Sequence, residues 1–200
     1  MLKKSDRLDG IALSEIVAIS EGAARMRADG HDVLALSTGE PDFPTPPHVC
    51  NAAHEAMQAG QTRYAPTAGT AQLRGAIADS AGVEAKNVIV STGAKQVLAN
   101  LFLATLNSDD EVIVPAPYWT SYSDIISMSG GRTVLLHCGA EAGFKMTPEQ
   151  LEAAITPRTR WLLLNSPSNP SGAVYSKEEL AGLGQVLERY PHIWIASDEI

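Results

Sequence analysis

Five short runs of apolar, largely β-branched residues stand out along the chain: NVIVS (87–91), EVIVP (111–115), TVLLH (133–137), WLLLN (161–165) and IWIAS (193–197). They do not alternate apolar with polar positions, so each reads as a strand covered on both faces. Between most of them the spacing turns helical. In AKQVLANLFLATL, Val97, Leu98, Leu101 and Phe102 form one stripe at helical period. TPEQLEAAI opens with Thr147 as a cap, Pro148 at the first helical position and Glu149–Gln150 in the first turn. SKEELAGLGQVLERY repeats the device, with Ser176 and Glu179 spaced as a capping box. Covered strands alternating with helices predict an α/β domain on a largely parallel sheet.

Residues 1–47 follow another pattern. ALSEIVAISEGAARMRADG predicts a helix ending at Gly30, followed by the short run DVLALSTG and the stretch EPDFPTPP. So many prolines can continue neither a helix nor a central strand, so this stretch is a linker or boundary. HVCNAAHEAMQ (48–58) opens a further helix. The chain therefore divides into an arm and linker, 1–47, and a main α/β domain, 48–200.

Composition narrows the function classes. A net charge of -8 disfavours nucleic acid and anionic membrane as partners, since both call for basic patches. The apolar runs are too short to span a bilayer, and MLKKSDRLDGIALSEI lacks an apolar signal core, which points to the cytoplasm. Cys50 and Cys138 form no CxxC pair and read as reduced thiols. Cys50 and His54 share a helix face by spacing, but two ligands make no metal site. The expectation there is a helix packed on the core, with no metal.

In open α/β sheets, ligands bind beyond the carboxyl ends of the strands. The unusual polar residues fall there. After the first run comes TGAKQ, in which Gly93 opens a helix. Such an N-terminus exposes free N–H groups and the positive dipole end, suited to a phosphate, although a glycine also serves a plain turn. After the second run, PAPYWT sets Trp119 in a loop stiffened by two prolines, either as an outward-facing aromatic or as core filling. After the fourth, NSPSNPSG (165–172) forms a stiff loop able to hold Asn169 in one pose. After the fifth comes Asp198. A nucleotide reading fits poorly: the Gly-x-Gly at 182–184 lies inside a helical pattern, and no GxxxxGK[ST] occurs. A planar heteroaromatic phosphate fits better. The helix N-terminus takes the phosphate, Trp119 stacks on the ring, Asn169 bonds a ring oxygen and Asp198 pairs with a protonated ring nitrogen. Those are the demands of pyridoxal 5′-phosphate, whose pyridinium needs a carboxylate partner to act as an electron sink.

The same stretches resemble a known family. LALSTGEPDFPTP (34–46), RYAPTAGTAQLRGAIA (63–78), VIVSTGAKQVLANLFLATLNSDDEVIVPAPYWTSY (88–122), LLLNSPSNPSGAVYSKEEL (162–180) and SDEI (197–200) are similar to fold-type I, class I aminotransferases, and within them to the bacterial aspartate aminotransferase subgroup. The resemblance implies a mainly parallel large domain, with residues 1–47 belonging to a small domain. It implies that the amides of Gly93, Ala94 and Lys95 hold the cofactor phosphate. Trp119 would stack on the pyridine ring, Asn169 would bond its phenolic oxygen and Asp198 its nitrogen. Gly39 would offer its amide to the substrate α-carboxylate, beside Trp119 and Asn169. Tyr64 would reach the phosphate of a neighbouring subunit, which implies a homodimer. The implied reaction moves an amino group between an aspartate-like amino acid and a 2-oxo acid. A lyase or synthase of the same fold, or a binding module without turnover, shares these motifs.

Three departures from the family pattern qualify the expectation. Ser171 stands where Thr is commoner, keeping the hydroxyl, and the segment between LRGAIAD and NVIVS is short. The family's Schiff-base lysine and substrate-gripping arginine lie downstream of the SDE strand. Of Lys3, Lys4, Lys86, Lys95, Lys145 and Lys177, only Lys95 falls near the expected site, in the phosphate cradle. The tyrosine that follows DEI in the family is missing too. The expectation is an N-terminal part of a transaminase, cut before the last strands of its large domain. It would hold no catalytic lysine, be inactive alone and be marginal or aggregating because NVIVS lacks its neighbour.

Overall fold

The computed structural model describes residues 3, 5–8, 11, 15–36, 39 and 41–199, with backbone alone at 15 and 16. Two compact units emerge, one of residues 10–90 and one of 91–200 together with 1–9.

Described helices of the 10–90 unit are α1 (Glu15–Ala28), α2 (Pro47–Gln58) and α3 (Ala71–Ala81). α1 ends at Ala28, two residues before Gly30, where the sequence predicts the helix to end. α2 starts at Pro47, the first-turn position where a missing N–H costs nothing. It buries no side chain, so the expectation that Cys50 and His54 lie on a helix packed against a core is not met; both are exposed. Among the described residues, no three His, Cys, Asp or Glu side chains gather as a metal set.

α3 is capped by Thr70, whose hydroxyl accepts from the Leu73 N–H at 3.3 Å. Its Arg74 donates to the carbonyls of Val88 at 2.8 Å and Ala85 at 2.5 Å, fastening 85–88 to the helix. Here expectation and structure part, because NVIVS is not a strand. A strand exists only within a ladder, and among the described residues no strand lies alongside it. Besides the Arg74 contact at Val88, its Val90 N–H donates to the Ala68 carbonyl at 2.9 Å. Gly69 permits that approach: at φ +101°, an added Cβ would lie 2.7 Å from Val90 Cγ2.

In the other unit, β1 (Glu111–Ala116), β2 (Arg132–His137), β3 (Thr159–Asn165) and β4 (Trp194–Asp198) form one sheet in the order β2-β1-β3-β4, all parallel. α4 (Ala94–Thr105) and α5 (Ser121–Met128) cover one face, α6 (Pro148–Ala154) and α7 (Lys177–Leu187) the other. Alternate strand residues explain the division. Val112, Val114, Trp161 and Leu163 pack with Phe102 and Ile126, whereas Ile113, Leu162 and Leu164 pack with Leu151 and Leu183. Both capping boxes form, Thr147 with Gln150 on α6 and Ser176 with Glu179 on α7.

At the amino ends of the strands, Glu111 is wholly buried. It pairs with Arg132, with Arg158 at 3.1 Å, and accepts the Thr156 hydroxyl at 2.7 Å. Burial pushes its pKa up, but the Thr156, Arg132 and Arg158 hydrogen bonds together outweigh that and hold the carboxyl below its ordinary value. At the other end of the sheet the chain runs from β1 outward to β2, then crosses back to β3 and β4. The β1–β3 boundary is thus the switch point where a crevice opens in this class of sheet.

Candidate active site

α4 begins at this carboxyl end. Gly93, its N-cap, sits at φ 82°, ψ 164°, a region open essentially to glycine alone, and supplies no side-chain cap. Its own N–H is engaged by the Ser91 carbonyl at 3.0 Å, and the N–H groups of Gln96 and Val97 return to the Gly93 carbonyl. Among the described residues, the amides of Ala94 and Lys95 are left without a backbone acceptor. Of the three amides expected to hold an anion, two are free and one is taken.

The Lys95 ammonium lies 4.8 Å from the centroid of the Trp119 ring, a cation–π contact. Trp119 follows β1 and meets Tyr122, in the first turn of α5, edge to face at 5.4 Å. The Tyr122 hydroxyl donates to Asp198 Oδ2 at 2.6 Å. Burial first, then the hydrogen bond and charge of Asp198, drive the phenol's pKa far above its ordinary 10.0, so it stays a neutral donor.

Asp198 ends β4 directly opposite Asn165, which ends β3. Asn165 Nδ2 donates to the Asp198 carbonyl at 2.8 Å, and Asn165 Oδ1 accepts the Asn169 N–H at 2.7 Å. The rest of the 165–175 loop closes on itself: Ser168 N–H to the Ala173 carbonyl, Gly172 N–H to the Ser168 carbonyl and Ala173 N–H to the Ser171 hydroxyl. The loop therefore holds Asn169 by its backbone and leaves its side chain exposed. A groove between α4 and the end of β4 is lined by Ala94, Val97, Leu98, Ser197, Asp198 and Glu199.

Within this unit the structure brings Ala94, Lys95, Trp119, Asn169 and Asp198 into one connected neighbourhood. Gly39 and Tyr64 belong to the 10–90 unit, where Tyr64 is fully exposed. Two members were not singled out from the sequence. Tyr122 stands three residues after Trp119, and Asn165 is the polar end of an apolar run. Each is a signal of position only, since Asp198, the partner they share, is remote in the chain.

Residues 31–200 match the family model described as aminotransferase class I and II. An aspartate aminotransferase of Rhizobium meliloti (strain 1021) is 48% identical over 202 residues, 98% of this chain and 49% of that protein. An aspartate/prephenate aminotransferase of Cereibacter sphaeroides is 48% identical over 204 residues, 98% of this chain and 50% of that protein. Among solved structures, the aspartate aminotransferase of Thermus thermophilus with maleate superposes at a TM-score of 0.95 and 43% identity, covering 100% of this chain and 54% of that one. The chain spans about half the length of the curated relatives it matches.

Proposed function

The chain belongs to the class I and II aminotransferases, and from that premise we propose that it forms the cofactor-holding part of a transaminase. The reaction moves an amino group between aspartate, or a related amino acid, and a 2-oxo acid. One observation carries the reading: the free amides of α4, the Trp119 indole, Asn169 and Asp198 meet at the carboxyl end of one sheet.

The donor set fits pyridoxal 5′-phosphate, the family's cofactor. Two unpaired N–H groups at the positive end of a helix suit a phosphate dianion. A partly buried carboxylate beside a neutral phenol suits a protonated ring nitrogen. When bound, the cofactor supplies an electron sink for the substrate's α-carbon. Ala94 and Lys95 would hold the phosphate, Trp119 would cover a ring face and exclude water, Asn169 would bond the phenolic oxygen and Asp198 would keep the ring nitrogen protonated. In this reading none of the described lysines takes the covalent, proton-carrying role: Lys3, Lys86 and Lys145 are ion-paired with Asp6, Glu84 and Glu179, Lys95 rests on Trp119, and Lys177 opens α7.

The maleate bound in the Thermus thermophilus relative, a dicarboxylate, supports an aspartate-like substrate. In the same reading residues 1–47 belong to a small domain, Gly39 receives the substrate α-carboxylate, and the exposed Tyr64 reaches a neighbouring subunit's phosphate in a cytoplasmic homodimer. None of the described helices is long and apolar enough to cross a membrane.

The test uses the complete gene product reconstituted with pyridoxal phosphate and assayed for amino transfer from aspartate. Asp198→Asn is expected to cut turnover on the order of a hundredfold with an unchanged melting temperature. Near-normal turnover would remove Asp198 from the ring nitrogen. Light scattering on the same preparation reads the dimer, and an active monomer would refute the role given to Tyr64.

A further inference from the structure

We propose that Tyr122 and Asn165 are positioning residues that fix the Asp198 carboxylate and, through Asn165, couple it to the loop carrying Asn169. The inference rests on the cofactor reading above and deepens it.

The Tyr122 hydroxyl holds one carboxylate oxygen, Oδ2, at 2.6 Å. Tyr122 is only 2% exposed, so water cannot readily replace that bond, and its ring is braced against Trp119 in a T-shaped contact. A phenol kept neutral by burial remains a donor and has no reason to turn. Oδ1 is left as the carboxylate oxygen with no donor among the described residues. The same hydroxyl thereby selects which oxygen is free for a ligand.

Asn165 acts on the main chain of the same residue. Its amide donates to the Asp198 carbonyl and accepts from the Asn169 N–H. The opposite amide orientation would set N–H against N–H and oxygen against oxygen, so the network itself fixes the assignment. A carboxylate could accept but not donate here, and an apolar side chain could do neither. One side chain at the end of β3 thus links two residues expected to touch the cofactor, each at the end of a different segment.

The experiment reads the complete gene product with pyridoxal phosphate by equilibrium binding and by the visible circular dichroism of the bound cofactor, which reports ring orientation. Tyr122→Phe removes only the hydroxyl. We expect it to weaken cofactor binding about tenfold and to reduce the visible band, with little change in melting temperature. In an Asp198→Asn background the same change should have almost no effect, because the tyrosine acts through that acid. Wild-type binding and dichroism in Tyr122→Phe, or an equal loss in both backgrounds, overturns the proposal. If Tyr122→Phe does not fold, Asn165→Ala carries the test: a weakened band at unchanged melting supports it, a wild-type band rejects it. A wild-type protein that takes up no cofactor defeats the parent reading and this one together; unaffected variants of a protein that binds defeat this one alone.

Discussion

Glu111 and Asp198 are carboxylates at opposite ends of one sheet, and their surroundings assign them different work. Glu111 is wholly buried and meets Thr156, Arg132 and Arg158, so every donor it needs is internal. Among the described residues the Asp198 carboxylate has one donor, the Tyr122 hydroxyl, and an oxygen to spare. Because the folded pKa of Glu111 lies below its ordinary 4.5, its stabilising contribution is complete above that value and is lost as pH falls through the folded pKa. Glu111→Gln should remove that part of the acid transition. At neutral pH it should cost about 1–3 kcal/mol rather than the larger penalty of a stranded buried charge, because Arg132 and Arg158 are 56% and 62% exposed and can rehydrate. Denaturant titrations at pH 7 and pH 4 check both statements. A variant with the same pH dependence as the parent would contradict the assignment.

At the scale of elements, α4 shows how one residue can serve geometry and chemistry together. Gly93 turns the chain into the helix through a backbone conformation that side chains avoid, while an added Cβ there would meet nothing within 4 Å. The penalty of Gly93→Ala is therefore pure backbone strain, roughly 1–3 kcal/mol, read as a lower denaturation midpoint. Relaxation of that strain would re-aim the Ala94 and Lys95 amides, so phosphate-dependent cofactor affinity should fall as well. Equal stability and affinity would mean that the turn does not set the cradle. Along the same helix, the apolar stripe read from the sequence is only half buried: Leu98 and Phe102 enter the core, whereas Val97 is 46% exposed and lines the groove beside Asp198. A stripe records which positions face the protein. It does not tell core from ligand site.

For the whole molecule, the consequential feature is the free edge of the sheet. β4 is the last strand in the order, paired only with β3 among the described residues, and it shows Trp194 at 68% and Ile195 at 51% exposure. An apolar strand edge is a template for unwanted pairing. Expressed as these 200 residues, the chain should self-associate. Replacing Trp194 and Ile195 by Lys should shift it toward smaller species in sedimentation or light scattering, and no change would clear this edge of responsibility. The parallel order has a further result: β1, β3 and β4 run side by side, so loops 81 residues apart in sequence (117 to 198) finish at one rim.

The sequence by itself determined the local pieces. Four of the five apolar runs are strands, the caps at Thr147 and Ser176 and the α/β class follow from short-range chemistry, and the motif residues could be picked out. Tertiary structure decided what depends on partners far away in the chain. NVIVS had the composition of a strand, but pairing makes a strand, and its backbone found a loop carbonyl instead. Tyr122 and Asn165 joined the site because strand order carried Asp198 to them. The Gly93 amide was withdrawn from it by a local carbonyl whose position no side-chain pattern reveals. Periodicity encodes which face a residue presents, whereas hydrogen-bond partners between distant segments are chosen only when the sheet assembles.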